Sequence, residues 1–184
     1  MGGKAFLEGI CKNYNQYILI MDRAFFPYGS KEPDFLFKRA IYLCWYLTKM
    51  KVDIIILACN TLSVICLPKI KKYFNVKIMG VIELFDFEKY NNSLFIGTSN
   101  TIDRLIVKYP HIDYFKTPRL IEYIEYNNTQ LIEKYIKKNR NLFDSYKHII
   151  LGCTHFIKIK KYFNNYISQD ELFNIKVQKS ISDT

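Results

Sequence analysis

The sequence predicts an α/β protein: two related three-layer domains with mainly parallel sheets and a cleft between them. Three observations carry this reading. Short β-branched runs alternate along the chain with stretches of helical apolar spacing. The run from Asp53 to Ala58 is apolar after its first residue, as a parallel strand covered on both faces must be. One pattern, strand, small residue, cysteine, two polar residues and helix, occurs twice, at Asp53 to Thr61 and at Lys147 to His155.

Taken in order, Gln16 to Asp22 (QYILIMD) reads as a strand, closed by the turn Pro27-Tyr28-Gly29-Ser30. Glu32 to Met50 places Phe35, Ala40, Leu43 and Leu47 at helical spacing. The strand Asp53 to Ala58 leads into a helix expected to reach about Phe74, and Val76 to Ile82 is the next strand. Leu94 to Thr98 is a further strand. Helices then alternate up to a last strong strand, His148 to Leu151. The heptapeptide KIKKYFN comes after both cysteine turns, at Lys69 to Asn75 and Lys158 to Asn164, and an alternating triplet comes after each copy, Val76 to Ile78 and Ile175 to Val177. The echo predicts two related βαβ units. Residues 1–83 would form a first domain that lacks its opening strand, 84–173 a second, and 174–184 the start of a return to the first.

Composition excludes several functions. Of 184 residues, 49% are apolar and 24% charged, which fits neither a disordered tail nor a membrane protein. The longest apolar run is far short of the ~20 residues a bilayer requires. Net charge is +10, but the basic side chains are mostly lysine, with arginine only at positions 23, 39, 104, 119 and 140. Nucleic-acid grooves recruit arginine for bidentate contacts, and no zinc finger or RNA-binding aromatic motif appears. The expectation is no nucleic acid and no membrane, with a positive field that favours an anionic small substrate.

The five cysteines, Cys11, Cys44, Cys59, Cys66 and Cys153, show no disulfide framework and no CxxC. The N-terminus, Met1-Gly2-Gly3-Lys4, leads into an amphipathic stretch without the marks of a signal peptide, so reduced thiols and a cytoplasmic setting are expected. Cys11, Cys44 and Cys66 sit among apolar neighbours and read as small core residues. Cys59 and Cys153 differ. Both fall at the carboxyl end of a strand, where parallel sheets bind ligands. Ala58 and Gly152 before them leave room for close approach. Asn60 and Thr61 after the first thiol, and Thr154 and His155 after the second, supply hydrogen-bonding groups. Two thiols facing one carbon suit removal of a proton from one face and delivery to the other, with the pair sharing one proton. A free thiol is only ~3% ionised at pH 7, and half ionisation needs about 2 kcal/mol, within reach of a helix N-terminus and one partner. No GxGxxG, P-loop or pyridoxal-lysine context is visible. The economical chemistry uses no cofactor and no metal.

At these residues the chain resembles glutamate racemase, of the aspartate/glutamate racemase superfamily. The resemblance rests on Ala58-Cys59-Asn60-Thr61 and Leu151-Gly152-Cys153-Thr154-His155. It also covers Met21-Asp22 with Pro27-Tyr28-Gly29-Ser30-Lys31, Gly80 to Glu83, Gly97-Thr98 with Thr101, and Pro118 to Glu125. It implies that Cys59 and Cys153 are the two bases that invert glutamate for peptidoglycan synthesis, with His155 assisting Cys153. It assigns Pro27, Tyr28, Gly29, Asn60, Thr61, Thr98, Thr101 and Thr154 to the substrate, makes Asp22 and Glu125 acidic auxiliaries, and allows a homodimer. The histidine after Cys153-Thr154 favours the glutamate branch over the aspartate branch. Two departures stand out: the family's opening strand with its DSG-type turn would lie just before Met1, and its closing elements beyond Thr184. The chain therefore reads as shortened at both ends, with weak or no activity expected of it in this form.

Other readings of the same residues stay open at this level. Thr98 could cap the helix entered at Thr101. Tyr28 to Ser30 could be only a turn, and Asp22 a solvated acid. Cys153 with His155 could form an acyl-transfer nucleophile, though Cys59 is then unexplained. A zinc site lacks ligands at usual spacing. An aspartate racemase-like enzyme, or a non-catalytic remnant that binds a dicarboxylate, completes the set.

Overall fold

The computed structural model describes residues 2–10 and 16–182. Cys11 lies outside them. Helix α1 (Gly2–Ile10) comes first in the chain, and 3-10 turns lie at Arg23–Phe25 and Tyr28–Ser30. Helix α2 (Pro33–Lys49) starts with proline at its first position, where a missing N–H costs nothing, and has Asp34 in the first turn and Lys49 in the last, both matched to the helix dipole. Strand β1 (Ile54–Leu57) then leads through α3 (Asn60–Ile70) to β2 (Lys77–Gly80), parallel to it, with Ile54 opposite Lys77 and Leu57 opposite Gly80.

Period-two alternation decides which layer covers each face of this sheet. Ile55 and Leu57 pack with Leu36, Ala40 and Cys44 of α2 and Leu62, Cys66, Leu67 and Ile70 of α3. Ile56 and Met79 turn the other way, against Phe6 and Ile10 of α1 and Val81, Leu84 and Phe173.

The second sheet has four parallel strands in the order β4-β3-β5-β6, comprising β3 (Ser93–Gly97), β4 (Asp113–Lys116), β5 (His148–Leu151) and β6 (Tyr166–Ile167). α4 (Ser99–Lys108) crosses from β3 to β4. α5 (Leu120–Glu125), α6 (Thr129–Lys138) and α7 (Arg140–Asp144) connect β4 to β5, and α8 (Gln169–Ser182) comes after β6. Leu94, Ile96, Ile149 and Leu151 face Leu120, Ile124, Ile136 and Phe156, while Phe95 and Ile150 face Phe85, Phe87, Ile102 and Leu105. Both faces of the sheet are therefore apolar and covered, which is the reason its strands read as continuous hydrophobic runs. The predicted α/β class with parallel sheets is the observed one.

Four expectations are corrected. Gln16 to Asp22 forms no strand. Among the described residues β1 bonds only to β2, so this β-prone run has no ladder to join, and Tyr17 and Ile18 are exposed. The helix after Cys59 ends at Ile70, so most of the first KIKKYFN lies beyond it in turns. The second copy falls mainly in a 3-10 helix, Thr154–Tyr162, instead of an α-helix. Ile175 to Val177 is not a strand but lies inside α8, where Asp170 and Glu171 supply the acidic first turn and Phe173 docks edge-on against Phe6.

Candidate active site

Cys59 and Cys153 each stand where a strand gives way to a helix. Their backbones match: φ −148° and ψ 119° at Cys59, φ −145° and ψ 135° at Cys153, each the N-cap of the helix it enters. An N-cap position aims the side chain across the first turn, toward N–H groups that have no intrahelical partner. Neither thiol makes a capping hydrogen bond, yet the N–H groups of Thr61 and Leu62 and the Thr61 hydroxyl favour the thiolate of Cys59, and the N–H of His155 that of Cys153. A direct bond joins the two turns, since the Thr154 hydroxyl donates to the Ala58 carbonyl at 3.1 Å. The cysteines lie close enough that a charge on Cys59 acts on Cys153.

Burial dominates the electrostatics. It pushes the Cys153 thiol up to about 12 and raises Cys59 as well, despite the helix N–H groups. The helix termini therefore do not outweigh burial at either thiol, contrary to the gain the sequence suggested. Burial also pushes the His155 imidazole down to about 4, although the Glu125 carboxylate opposes this. His155 is thus neutral near pH 7, and its 2.9 Å contact with Glu125 is a hydrogen bond from Nε2–H to Oε2 instead of an ion pair. That bond assigns the tautomer. Nδ1 is left as an acceptor 3.4 Å from the Cys153 sulfur.

The segment Phe26 to Gly29 packs against residues around both cysteine turns. Phe26 lies 5.6 Å from the His155 ring, Tyr28 packs in the cluster that holds Cys59, and a Cβ on Gly29 would stand 2.7 Å from Thr98 Cγ2. Only glycine lets this turn sit so close to the start of α4. Pro27 precedes it through a cis peptide bond. The Tyr28 hydroxyl donates to Asp22, which Arg39 grips with a two-pronged contact at 2.7 and 2.8 Å. Hydrogen bonds from Arg39 hold the Asp22 carboxyl below its usual range, while burial and Asp22 raise Tyr28. Asp22 is therefore a paired acid, not a solvated one.

Thr61, Thr98 and Thr101 form a buried triangle of hydroxyls with edges of 3.1, 3.2 and 2.9 Å, which joins the start of α3 to the start of α4. Thr98 also caps α4 by accepting from the Thr101 N–H, so the capping reading holds beside any other role. Asn60 is 3% exposed, and neither its Oδ1 nor its Nδ2 has a partner. A buried amide with nothing to bond costs free energy unless a ligand supplies the bonds.

Contacts thus link Tyr28, Thr98, Thr101, Glu125 and His155 to the two cysteine turns, with Gly29 joined through Thr98 and Asp22 through Tyr28. Sequence reading missed three others. Arg39 gave no motif, since it is one charge in a helical run. Phe26 belongs to no motif and stands just before the Pro27 turn. Gly2 proves to be where α1 crosses the site: a Cβ there would stand 2.5 Å from Thr154 Oγ1 and 2.6 Å from His155 Nδ1. Gly152, read as leaving room for close approach, makes that room for the core: a Cβ there would collide with the Phe95 ring and stand 2.7 Å from the backbone carbonyl of Ile96. Among the described residues no cluster of three His, Cys, Asp or Glu side chains could hold a metal ion. No helix among them is long and apolar enough to cross a membrane.

Two parallel α/β sheets with a cysteine at matched strand ends define the class, the aspartate/glutamate racemase fold. Comparisons narrow it. The chain is 34% identical over 183 residues to the glutamate racemase of Buchnera aphidicola subsp. Schizaphis graminum, covering 88% of this chain and 71% of that one. It superposes on the glutamate racemase of Campylobacter jejuni with a TM-score of 0.80 at 24% identity, over 97% of this chain and 82% of the other. It superposes on the aspartate racemase of Picrophilus torridus with a TM-score of 0.71 at 19% identity, over 97% and 88%. A family model described as the TROVE domain matches residues 11–110, a segment that stops before β5, Cys153 and His155. Where these disagree, the 34% identity over 183 residues decides, because it runs through both cysteine turns whereas the TROVE match ends at residue 110. The chain belongs to the glutamate racemase family.

Proposed function

We propose that this protein interconverts L- and D-glutamate by moving one proton across Cα between Cys59 and Cys153. The observation that carries the reading is the matched pair of cysteine N-caps, tied to each other by the bond from Thr154 to Ala58. One cysteine, as thiolate, takes the Cα proton from one face. The other, as thiol, delivers its proton to the opposite face, which leaves the pair with protonation reversed and one proton between them. Raised thiol pKa values serve this chemistry, since a thiolate near 12 is a stronger base than one near 8.5 and the Cα–H bond is a very weak acid. The ammonium group of a bound amino acid, brought into the same buried space, favours the thiolate once substrate is present.

Asn60 has two free bonding groups for the α-carboxylate or ammonium, and the threonine triangle can turn its hydroxyl protons outward onto a carboxylate. Pro27 to Gly29 and Thr154 wall the same space. His155, aligned by Glu125, shares the proton of Cys153, and Asp22 fixes Tyr28. The reaction needs no cofactor in this scheme. The enzyme acts in the cytoplasm for peptidoglycan synthesis, as a homodimer, with residues 1–83 and 84–173 forming the two walls of the cleft. Polarimetric assay of L-glutamate, with L-aspartate in parallel, tests the reading. Loss of optical activity with glutamate and none with aspartate supports it. Turnover of aspartate alone assigns the aspartate branch, and turnover of neither leaves the remnant that binds a dicarboxylate.

A further inference from the structure

The outer face of α2 is unusual for a surface helix. Tyr42 is 52% exposed, Trp45 51% and Tyr46 45%, while the inner face buries Leu36, Ala40 and Cys44. Asp34, Lys38, Tyr42, Trp45 and Lys49 are spaced at intervals of three or four and fall on one stripe. All five are exposed. Among the described residues neither Asp34 nor Lys38 takes part in an ion pair, and Lys49 lies over its own Trp45 ring at 5.4 Å.

We infer that this stripe is the homodimer interface, with α2 packed antiparallel to α2 of a second copy across a two-fold axis near Tyr42. This deepens the homodimer proposal and rests on it. The order of side chains carries the inference. Read backwards, the stripe complements itself: Asp34 meets Lys49 of the partner subunit, Lys38 meets the indole of the partner's Trp45, and Tyr42 lies near the axis. A two-fold contact repeats each pairing, giving two ion pairs and two cation–aromatic contacts from one helix pair. An unrelated partner would have no reason to match an acid-base-aromatic-aromatic-base order, whereas a second copy supplies the complement by symmetry. Helix α2, at 17 residues, gives a contact line of ~25 Å. The interface also bears on the site, because Tyr42 stacks on Arg39 at 4.9 Å and Arg39 holds Asp22.

Trp45 is the only tryptophan in the chain, so its emission reports this face alone. Sedimentation and tryptophan emission, monitored together from 0.1 to ~100 µM protein, test the inference at physiological salt, where the net charge is largely screened. The expected result is a dimer whose formation shifts Trp45 emission to the blue. Asp34→Lys should weaken it by about tenfold or more, and the swap Asp34→Lys with Lys49→Asp should restore it to within about threefold. All these side chains are exposed, so circular dichroism should show each variant folded, and Tyr42→Arg, which sets like charges near the axis, should give a monomer. A wild type that stays monomeric throughout refutes self-association itself. A dimer that ignores these changes, or one that the swap fails to restore, refutes this surface while leaving the homodimer standing.

Discussion

The His155 imidazole, held neutral between Glu125 and Cys153, is where a single side chain has the clearest consequences. Its folded pKa, about 4, lies below the ordinary value of 6.5, so the unfolded chain binds a proton here before the folded one does. The stability this contributes is fully present above pH 6.5 and is lost as pH falls toward 4, amounting to about 3 kcal/mol at most. Urea unfolding from pH 7 to pH 4 should show that decline in the wild type and a flatter profile in His155→Asn. An equal slope in both would place the proton-linked loss elsewhere. Arg39 offers a second test. With Asp22 gripped by a guanidinium fork, Arg39→Lys keeps the charge but not the paired geometry, and Arg39→Met removes both. Racemisation should fall in that order, mainly through KM, because Arg39 acts on the Tyr28 wall and not on the thiols. A change in kcat alone would contradict that placement.

Elements differ in how far the sequence announces them. β3, β5 and β1 were legible because burial on both faces leaves an apolar run, and Cys59 and Cys153 were legible because they end such runs in matched surroundings. The Gln16 to Asp22 stretch misled for the opposite reason, since its β-prone residues describe a preference that only a neighbouring strand can satisfy. KIKKYFN misled because identical letters fall at different distances from a helix end, so one copy is mostly turns and the other mostly 3-10 helix. Arg39, Phe26 and Gly2 could not be found from local pattern, since their importance lies in contacts between distant segments. Gly152 shows the same point in energetic terms. Gly152→Ala must displace the fully buried Phe95 ring or the Ile96 carbonyl, and thermal unfolding should report a loss of about 2 kcal/mol or more. Gly3→Ala, whose Cβ would meet only Ala58 and Leu19 at 3.8 and 3.9 Å inside α1, should be neutral or stabilising by up to about 1 kcal/mol. Equal effects at the two glycines would mean that the crowding around Gly152 relaxes at no cost.

Across the whole molecule the two sheets are unequal. The second has four strands and covers on both faces, while among the described residues the first has two. Amide hydrogen exchange should therefore find Ser93–Gly97 and His148–Leu151 the slowest segments and Lys77–Gly80 markedly faster. Uniform protection would show one cooperative unit instead. The reading of the molecule as a racemase depends on both sheets aiming one thiol each at the same carbon, and that can be measured directly. Cys59→Ala and Cys153→Ala are each incubated in D2O with L- and D-glutamate, and with a glutamate analogue carrying a leaving group on the carbon next to the reacting one. The two-thiol account predicts that racemisation falls by roughly three orders of magnitude or more in both variants. Each variant should still eliminate the leaving group from one enantiomer only, with opposite handedness for the two, because elimination needs only the base that remains. Near-normal racemisation by either variant, or elimination by both from the same enantiomer, would contradict it.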